Sequence, residues 1–369
     1  MRAVFFVHSL ISDWNNGHAH FLRGLMTALT RQGHEVLACE PWRNWSSDNL
    51  FQDHGAGPIV EFARRFPKLW IEVYSGREQI IADVDRLTQG ADLVIVHEFN
   101  EPELVGAVGY IRHRRRDFQL LFHDTHHRAI SVPYQIARLN LGHYDGVLAF
   151  GDVLASVYRS RFGIDRTWTF YEAADTSVFF PMDLEKTQDV VWIGNWGDDE
   201  RSAEIHSYLI DSARALNELR FVVHGVRYPK EAISALHKAG IAYLGWVPNY
   251  RVPEVFAHST MTLHIPRRYY RECLPGIATI RPFEALACGI PLLSLPWHDQ
   301  EGLFRTGKDY LVVESPKEMR AAMVGLAQDS ELRERLAEHG LETIRAYHTC
   351  EHRAEELVDI YRQLGAVGA

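Results

Sequence analysis

The sequence predicts an α/β protein with two domains, each built on a parallel β-sheet with helices on both faces. Three observations support this prediction. Short apolar, β-branched runs alternate with amphipathic helical stretches, which is typical of buried parallel strands joined by crossover helices. The chain of 369 residues is about as long as two ordinary domains. A polar stretch at residues 175–188, with few apolar positions, separates two series of such repeats and predicts a linker.

Composition and charge exclude several classes of protein. The sequence is 46% hydrophobic and 24% charged, as expected of a globular chain and unlike a collagen-like or disordered one. Its formal net charge of -9 gives no basic field that would attract nucleic acid. Four widely separated cysteines favour a reducing cytoplasm over a disulfide framework. The basic cluster Arg112–Arg116 is typical of a solvated helix end and leaves peripheral contact with a membrane surface open.

The first domain is predicted over residues 1–178. A helix follows its first strand, because Phe21, Leu25 and Leu29 recur at helical spacing. The segment Asn44–Pro58 is rich in Ser, Asn, Asp and Gly and predicts a surface loop. Strands are predicted over Ala3–His8, Glu35–Cys39, Leu93–His97, Gln119–His123 and Gly146–Phe150.

The second domain is predicted over residues 189–346, with residues 347–369 as a C-terminal helix that packs back on the first domain. A helix is expected over Arg201–Leu216, and the tail is expected to be helical from Ser330 onward. Ligands of open α/β sheets bind outside the carboxyl ends of the strands, so we expect the site in a cleft between the two sheets. Strands are predicted over Val190–Ile193, Arg220–His224, Ile241–Leu244, Met261–Ile265, Pro291–Ser294 and Tyr310–Val313.

One segment of the second domain favours an anion site. A glycine-containing loop precedes a short helix, which is expected to begin at Arg281–Pro282 because proline suits the first helical turn. The helix dipole and the free amides of the loop favour an anion there. Glu284 lies one turn into the helix, where its carboxylate either binds the vicinal hydroxyls of a ribose or only complements the helix dipole. The loop residues are Gly276, Ile277, Ala278 and Thr279.

The segment Arg281–Ser294 resembles the nucleotide-sugar signature of glycosyltransferases with the GT-B fold. It is most similar to the spore-maturation (CgeB-like) group, which is related to the large retaining family of bacterial sugar transferases. Three further segments agree: Trp14–Leu25, Trp192–Arg201 and Tyr243–Asn249. The resemblance implies two Rossmann-like domains facing each other across a cleft, and transfer of a hexose from a nucleotide diphosphate sugar to a carbohydrate or other hydroxyl acceptor. It implies neither a metal nor a cofactor, and it assigns Glu284 to the ribose.

The sequence departs from the large retaining family at one position. That family has two glutamates separated by seven residues, and Gly276 stands where the first would be. Because the first glutamate usually contacts the transferred sugar, the donor sugar and the choice between retention and inversion stay open.

Arginines are the expected ligands of the diphosphate, because a guanidinium binds two phosphate oxygens at once and neutralises a leaving diphosphate. Arg267 and Arg268 follow a predicted strand, where they either face the ligand or form a solvated pair. Arg201 and Arg227 are weaker candidates. The resemblance places the nucleotide base against the backbone of Trp246 and Val247, although Trp246 is equally explained as a core residue.

The first domain offers two sets of sugar-binding candidates. Asn16, Gly17 and His18 join the first strand to the first helix, in a loop that faces the donor in GT-B enzymes; Gly17 equally suits the end of a turn, and His18 a solvent-exposed first-turn position. His123 and Asp124 end a strand, as in the retaining family, where the histidine points at the transferred sugar and a carboxylate fixes its tautomer. A structural role for His123 is the alternative. Adjacent histidines rarely ligate one ion, so His126 and His127 predict no metal site.

Two other functions remain open. A nucleotide-sugar epimerase has the same layout, and the histidine-rich segment at 123–127 would supply its acid and base. A non-catalytic coat-type protein that binds nucleotide or sugar is compatible with the missing first glutamate. A dehydrogenase is disfavoured, because no G-x-G-x-x-G follows the first strand.

Overall fold

The computed structural model describes residues 1–75 and 79–366 and divides the chain into two compact units. The first comprises Met1–Glu172 and the chain from Cys350 onward, and the second comprises Ala173–Thr349. Each unit is built around its own parallel sheet. Among the described helices, none combines the length and the apolar character that crossing a bilayer requires.

The first unit has a sheet of seven parallel strands in the order β3-β2-β1-β4-β5-β6-β7, counted over the described residues. The strands are β1 (Arg2–Phe6), β2 (Glu35–Pro41), β3 (Trp70–Tyr74), β4 (Leu93–His97), β5 (Gln119–Asp124), β6 (Gly146–Ala149) and β7 (Thr167–Thr169). Its helices are α1 (His18–Arg31), α2 (Trp45–His54), α3 (Gly57–Arg65), α4 (Ile80–Leu87), α5 (Pro102–Arg115), α6 (Arg128–Ser131), α7 (Pro133–Ala137) and α8 (Asp152–Phe162).

The five strands predicted for this unit are confirmed, but the loop predicted over Asn44–Pro58 is wrong. That segment contains α2 and the start of α3. Asn44 caps α2 by accepting a hydrogen bond from the Ser47 amide at 2.9 Å, and Leu50 buries its side chain against the unit. Of the polar residues that suggested a loop, Asn44 caps the helix and Asp48 is exposed. Ser46 is buried and donates its hydroxyl to the carbonyl of Trp14 at 2.8 Å. The strands β3 and β7 were not predicted, because Glu72 interrupts the apolar run of β3 and because β7 has only three residues, two of them threonine.

The second unit has six parallel strands in the order β10-β9-β8-β11-β12-β13. The strands are β8 (Gln188–Ile193), β9 (Phe221–His224), β10 (Ala242–Tyr243), β11 (Ser259–His264), β12 (Leu292–Ser294) and β13 (Leu311–Val312). The helices are α9 (Ser202–Glu204), α10 (Asp211–Ala215), α11 (Lys230–Lys238), α12 (Val252–Ala257), α13 (Arg268–Glu272), α14 (Ile280–Ala287), α15 (Pro316–Gln328) and α16 (Ser330–Tyr347).

The helix expected over Arg201–Leu216 is confirmed, with a local change of helix type. Helices α9 and α10 are joined without a break by a π-helical segment at Ile205–Ile210. The tail expected to be continuous breaks after Tyr347, and α17 (Cys350–Ala366) packs on α1 in the first unit. The last helix therefore belongs to the core of the first unit.

The strand order of each sheet marks where a ligand is expected. In the first sheet β1 lies between β2 and β4, and in the second β8 lies between β9 and β11. The direction of the crossovers reverses at these points, and ligands of open α/β sheets bind outside the carboxyl ends of the strands there. The loops after β8 and β11 are therefore the first place to look in the second unit, and those after β1 and β4 in the first.

Candidate functional site

The loops after β8 and β11 bring two guanidinium groups of the second unit together at Asn195. Arg201 donates to the main-chain oxygens of Ile265 at 3.2 Å and Asn195 at 2.8 Å, and it also bonds the Asn195 side-chain oxygen. Arg267 donates to that same oxygen at 3.2 Å and forms an ion pair with Glu200 at 2.8 Å. The carboxyl ends of the two strands at the switch point therefore carry two neighbouring cations.

Burial and the repulsion between the two guanidinium groups both change the pKa of Arg201. Burial, followed by the charge of Arg267, lowers the pKa of Arg201 to about 9. Arg201 also lies 5.1 Å from the centre of the Trp192 ring, which limits its access to water. A protein that holds two cations close together in a partly dry place favours an anion between or beside them.

Two other predicted arginines lie apart from this cluster. Arg268 begins α13, is half-exposed, and has its nearest carboxylate partner, Glu272, at 4.0 Å. Arg227 is exposed and pairs with Asp198 at 3.5 Å. The structure therefore pairs Arg267 with Arg201, which is distant in sequence, and not with its neighbour Arg268.

The loop before α14 contributes two amides that the described residues leave without an acceptor. Gly276, with φ +92°, donates its amide to the carbonyl of Trp297 at 3.1 Å, and Ile277 donates to Leu274 at 3.3 Å. Within the described part of the chain, the amides of Ala278 and Thr279 have no hydrogen-bond acceptor. Helix α14 begins at Ile280, one residue before the predicted start, so these two amides stand at a helix N-terminus, where the helix dipole favours an anion.

His264 links this loop to the arginine pair. Its Nε2 contacts the Thr279 hydroxyl at 3.1 Å and its Nδ1 contacts the Ser294 hydroxyl at 2.9 Å. Burial, with the neighbouring charges of Arg281 and Arg201, lowers the pKa of His264 to about 3, so the ring is neutral at pH 7. His264 is therefore a positioning residue that holds the start of α14 at the end of β11.

Glu284 lies one turn into α14, as predicted, and its side chain is only 1% exposed. Its carboxylate is ion-paired with the guanidinium of Arg281. Arg281 in turn lies 5.9 Å from the centre of the Phe256 ring. A ribose bound at this position would share the carboxylate with Arg281.

Trp246 and Val247 lie half-buried in the loop that follows β10. This loop is held to the end of β9, because the Gly225 amide donates to the carbonyl of Gly245 at 2.8 Å. Gly225 also meets the loop after β8: a Cβ there would lie 1.9 Å from the carbonyl oxygen of Gly194. Only glycine allows the two strand ends to approach this closely.

In the first unit, three buried histidines converge at the carboxyl ends of β4 and β5 and the start of α1. His18 stacks on His97 with ring centroids 4.4 Å apart, and His123 lies 5.4 Å from each. His18 Nδ1 contacts Glu172 at 2.8 Å, and His97 Nε2 contacts the Thr125 hydroxyl at 3.1 Å.

The histidine cluster (His18, His97 and His123) is neutral and presents unused nitrogens. Burial lowers the pKa of His18 to about 3 and holds the pKa values of His97 and His123 well below the ordinary range. His18 Nε2, His97 Nδ1 and His123 Nε2 have no hydrogen-bond partner among residues 1–75 and 79–366. A buried polar atom without a partner is costly, so these three nitrogens favour a polar ligand.

The donor set of the histidine cluster is one that Zn²⁺ accepts, and the three candidate ligand atoms lie within 4.8 Å of one another. Their orientation fits a metal less well. The rings of His18 and His97 are nearly parallel, at 21°, so their in-plane lone pairs do not converge on one ion. Hydroxyl groups, which approach each nitrogen separately, match this arrangement better.

The other first-domain candidates have structural contacts. Asp124 accepts hydrogen bonds from the Tyr158 hydroxyl at 2.6 Å and the His126 amide at 2.9 Å, and not from His123. The sequence predicted that the Asp124 carboxylate would fix the tautomer of His123. The two side chains do not meet, because consecutive residues of a strand point to opposite faces of the sheet. Gly17 caps α1 with φ −62°, open to any residue. Asn16 donates its side-chain amide to the Ser9 carbonyl at 3.0 Å.

The basic cluster Arg112–Arg116 is held within the first unit. Arg112 pairs with Asp145 at 3.0 Å, and Arg115 pairs with Asp117 at 2.8 Å and Asp85 at 3.1 Å. These ion pairs hold the C-terminal end of α5 against the neighbouring parts of the first unit.

Sequence reasoning did not identify several residues that build the two clusters. A usable signal existed for the histidines, because three predicted strands of the first domain end in His8, His97 and His123, and the carboxyl ends of parallel strands meet at one edge of a sheet. In the sheet His97 and His123 are register partners. No comparable signal existed for the residues that act by hydrogen bonds across loops, namely Asn195, Glu200, Glu172, His264 and Arg281.

Comparison with protein families gives a match over residues 201–359, to the family described as glycosyl transferase-like. The matched region begins at Arg201 and includes Arg267, the loop before α14 and Glu284. Curated proteins gave no match to the sequence.

Solved structures are similar over the whole chain. A glycosyltransferase from Rickettsia africae ESF-5 is 10% identical, with 98% of each chain covered and a TM-score of 0.70. Anabaena Alr3699/HepE, solved in complex with UDP, is 13% identical, with 98% of this chain and 100% of that chain covered and a TM-score of 0.68. Sucrose-phosphate synthase from Thermosynechococcus elongatus is 14% identical, with 100% of both chains covered and a TM-score of 0.68. At these identities the similarity shows the fold, which is the GT-B fold.

Proposed function

We propose that this chain, which has the GT-B fold, transfers a sugar from a nucleotide diphosphate sugar to an acceptor hydroxyl without a metal ion. The observation that carries the proposal is that two kinds of phosphate-binding group, guanidinium groups and backbone amides, are both connected to the carboxyl end of β11. Arg201 and Arg267 share Asn195, Arg201 bonds Ile265, and His264 holds Thr279 beside the unpartnered amides. Guanidinium groups and amides at a helix N-terminus are the protein groups best suited to phosphate oxygens.

The reaction assigns a clear task to these groups. The bond between the anomeric carbon and the diphosphate oxygen breaks, and the diphosphate leaves with the electron pair. The acceptor oxygen bonds the anomeric carbon and gives up its proton. Arg201 and Arg267, with the amides of Ala278 and Thr279, stabilise the growing negative charge of the diphosphate, which is the role that a metal has in other transferases.

The rest of the nucleotide is assigned by resemblance. Glu284 binds the ribose hydroxyls, and the backbone of Trp246 and Val247 pairs with the edge of the base. The complex of Alr3699/HepE with UDP makes UDP the first nucleotide to test. A hexose as the transferred sugar, the spore-maturation (CgeB-like) relationship and a cytoplasmic location also rest on the sequence and the resemblance alone.

In the first unit, we assign the transferred sugar to the histidine cluster. His18 and His123 have neutral rings and unused nitrogens suited to sugar hydroxyls, and His97 completes the set. Asp124 acts as a positioning residue, because its carboxylate ties the turn after β5 to Tyr158.

Calorimetric titration with UDP tests the proposal. Wild-type protein is expected to bind UDP with the same affinity in buffer containing EDTA. Glu284→Ala is expected to weaken binding by roughly 1.5–3 kcal/mol, the loss typical of a hydrogen bond to a charged group. Glu272→Ala, which removes an exposed carboxylate of α13, is the control. Unchanged affinity of Glu284→Ala for every nucleoside diphosphate would end the assignment of this residue, and a requirement for added metal would end the metal-independent mechanism.

An epimerase is the second candidate, and the histidine cluster is the observation that favours it. Imidazole nitrogens can accept and return a proton at a sugar carbon, but the lowered pKa values of these three histidines make them weak bases, so the transferase is the leading proposal. Incubation of a UDP-sugar without any acceptor distinguishes the two functions: an epimerase produces the epimer, whereas a transferase produces at most free sugar and UDP.

A further inference from the structure

Two ion pairs with the same spacing connect the segment after β8 to the segment after β11 in the second unit. Arg267 pairs with Glu200 at 2.8 Å, which we call the inner pair. Four residues further along both segments, Arg271 pairs with Glu204 at 2.9 Å, which we call the outer pair. All four side chains are between 23% and 25% exposed. The two pairs are therefore matched in length and in access to water.

The two pairs differ in their neighbours. Arg267 also donates to the Asn195 side-chain oxygen at 3.2 Å, and Arg201 bonds that same oxygen. Among the described residues, the hydrogen-bond partner of Arg271 is Glu204. The inner pair therefore contacts the side chains that we assign to the diphosphate, and the outer pair forms a separate link between the same two segments.

Glu200 offsets positive charge at this place. Burial, followed by the charge of Arg267, lowers the pKa of Arg201 to about 9, while the charge of Glu200 acts in the opposite direction. A carboxylate that stabilises neighbouring cations in this way also repels an anion that those cations bind. The Glu200 carboxylate therefore stabilises the ligand-free arrangement and opposes the binding of phosphate.

A phosphate group can reach Arg267 while the inner pair is formed, because both of its side chains are partly exposed. A guanidinium has several N–H donors, and the contacts to Glu200 and Asn195 use Nη1 and Nη2 of Arg267 once each. An anion bound to the remaining donors would lie close to the Glu200 carboxylate, which contacts the same guanidinium. Carboxylate and phosphate therefore compete for one cation.

We infer that Glu200 competes with the diphosphate for Arg267 and thereby limits the affinity of the protein for nucleoside diphosphates. Transfer of the sugar frees the terminal phosphate, which then carries additional negative charge, and a carboxylate beside it favours its release. Glu204 links the same segments without this effect. The inference rests on the proposed function, because it takes Arg201 and Arg267 as ligands of the diphosphate.

Calorimetric titration of the full chain with UDP and with inorganic pyrophosphate tests the inference in two matched variants. Glu200→Gln removes the charge but keeps an oxygen that accepts the hydrogen bond of Arg267, so both probes are expected to bind about fivefold to twentyfold more tightly than to wild type. Glu204→Gln makes the same change in the outer pair and is expected to alter both affinities by less than about twofold. Stopped-flow dissociation of UDP from Glu200→Gln is expected to slow by a similar factor to its gain in affinity.

The sign of the change separates competition from a merely structural role. If Glu200 only held Arg267 in place, its loss would loosen the guanidinium and weaken binding. Thermal unfolding is the control for folding, and the two variants should shift alike, because each loses one partly exposed ion pair.

Weaker or unchanged binding of both probes by Glu200→Gln, or an equal gain in Glu204→Gln, would overturn the inference. Tighter pyrophosphate binding by Glu200→Gln, without binding of any nucleoside diphosphate, would instead refute the proposed function and leave the competition for Arg267 standing. Absence of binding of either probe by wild type and by both variants would refute both.

Discussion

The guanidinium groups of Arg201 and Arg267 share one hydrogen-bond acceptor, the side-chain oxygen of Asn195. Like charges that share an acceptor repel each other, and the lowered pKa of Arg201 records part of that cost, after burial. An anion bound beside them would relieve the repulsion. This relief of repulsion is the reason for which we propose the pair as the diphosphate site.

The two arginines that are adjacent in sequence should differ in function. Arg267→Ala is expected to weaken UDP binding about tenfold to a hundredfold, because it removes a charged hydrogen-bond donor from the cluster. Arg268→Ala, which changes a half-exposed side chain outside the cluster, should change the affinity less than about threefold. Calorimetry of both variants measures the difference. Equal losses would show that the cluster does not define the phosphate site.

Gly197 is expected to control the position of Arg201. A Cβ at Gly197 would lie 2.5 Å from Arg201 Cγ, and the backbone there has φ +80°. Gly197→Ala should therefore displace Arg201 and weaken UDP binding about tenfold. Gly240→Ala is the matched control, because Gly240 has φ +74° and a Cβ added there would meet no atom within 4 Å. Both substitutions strain the backbone by about 1 kcal/mol or more, so similar losses of thermal stability with similar UDP affinities would refute the prediction.

The histidine cluster should make the first unit sensitive to acid. The folded-state pKa values of His18, His97 and His123 lie below the ordinary value of 6.5. The unfolded chain therefore binds more protons below about pH 6.5, and stability is lost as the pH falls. His97→Gln should reduce the slope of unfolding free energy against pH by up to about 1.4 kcal/mol per unit. Urea unfolding between pH 5 and 7 measures it, with the exposed His54→Gln as control; equal slopes for both variants would contradict the prediction.

Asn44 is expected to stabilise α2, the helix that stands where the sequence predicts a loop. Its side chain accepts the Ser47 amide at 2.9 Å. Asn44→Ala should lower the unfolding free energy by about 1 kcal/mol through loss of this cap. Gln52→Ala, at an exposed position on the same helix, should have an effect below about 0.5 kcal/mol. Denaturant unfolding of both variants decides between a capped helix and a loop.

The architecture was largely predictable because it depends on local periodicity. Buried parallel strands are continuous apolar runs, and those of both sheets were found within a residue or two. The predictions failed where the pattern carries less information: at the edge strands β3 and β7, and in α2, where polar residues cap and cover a helix. The π-helical turn at Ile205–Ile210 also has no signal in apolar spacing.

The same distinction between local pattern and tertiary contact applies to the residues of the candidate site. The sequence by itself determined the two units, the loop before α14 and the position of Glu284 one turn into that helix, because each follows from spacing along a single segment. Only the tertiary structure decided that Arg267 pairs with Arg201 and not with Arg268, that His97 joins His18 and His123, and that Asp124 binds Tyr158. These contacts join residues from different strands and loops, and their geometry depends on strand order and loop path, which local patterns do not encode.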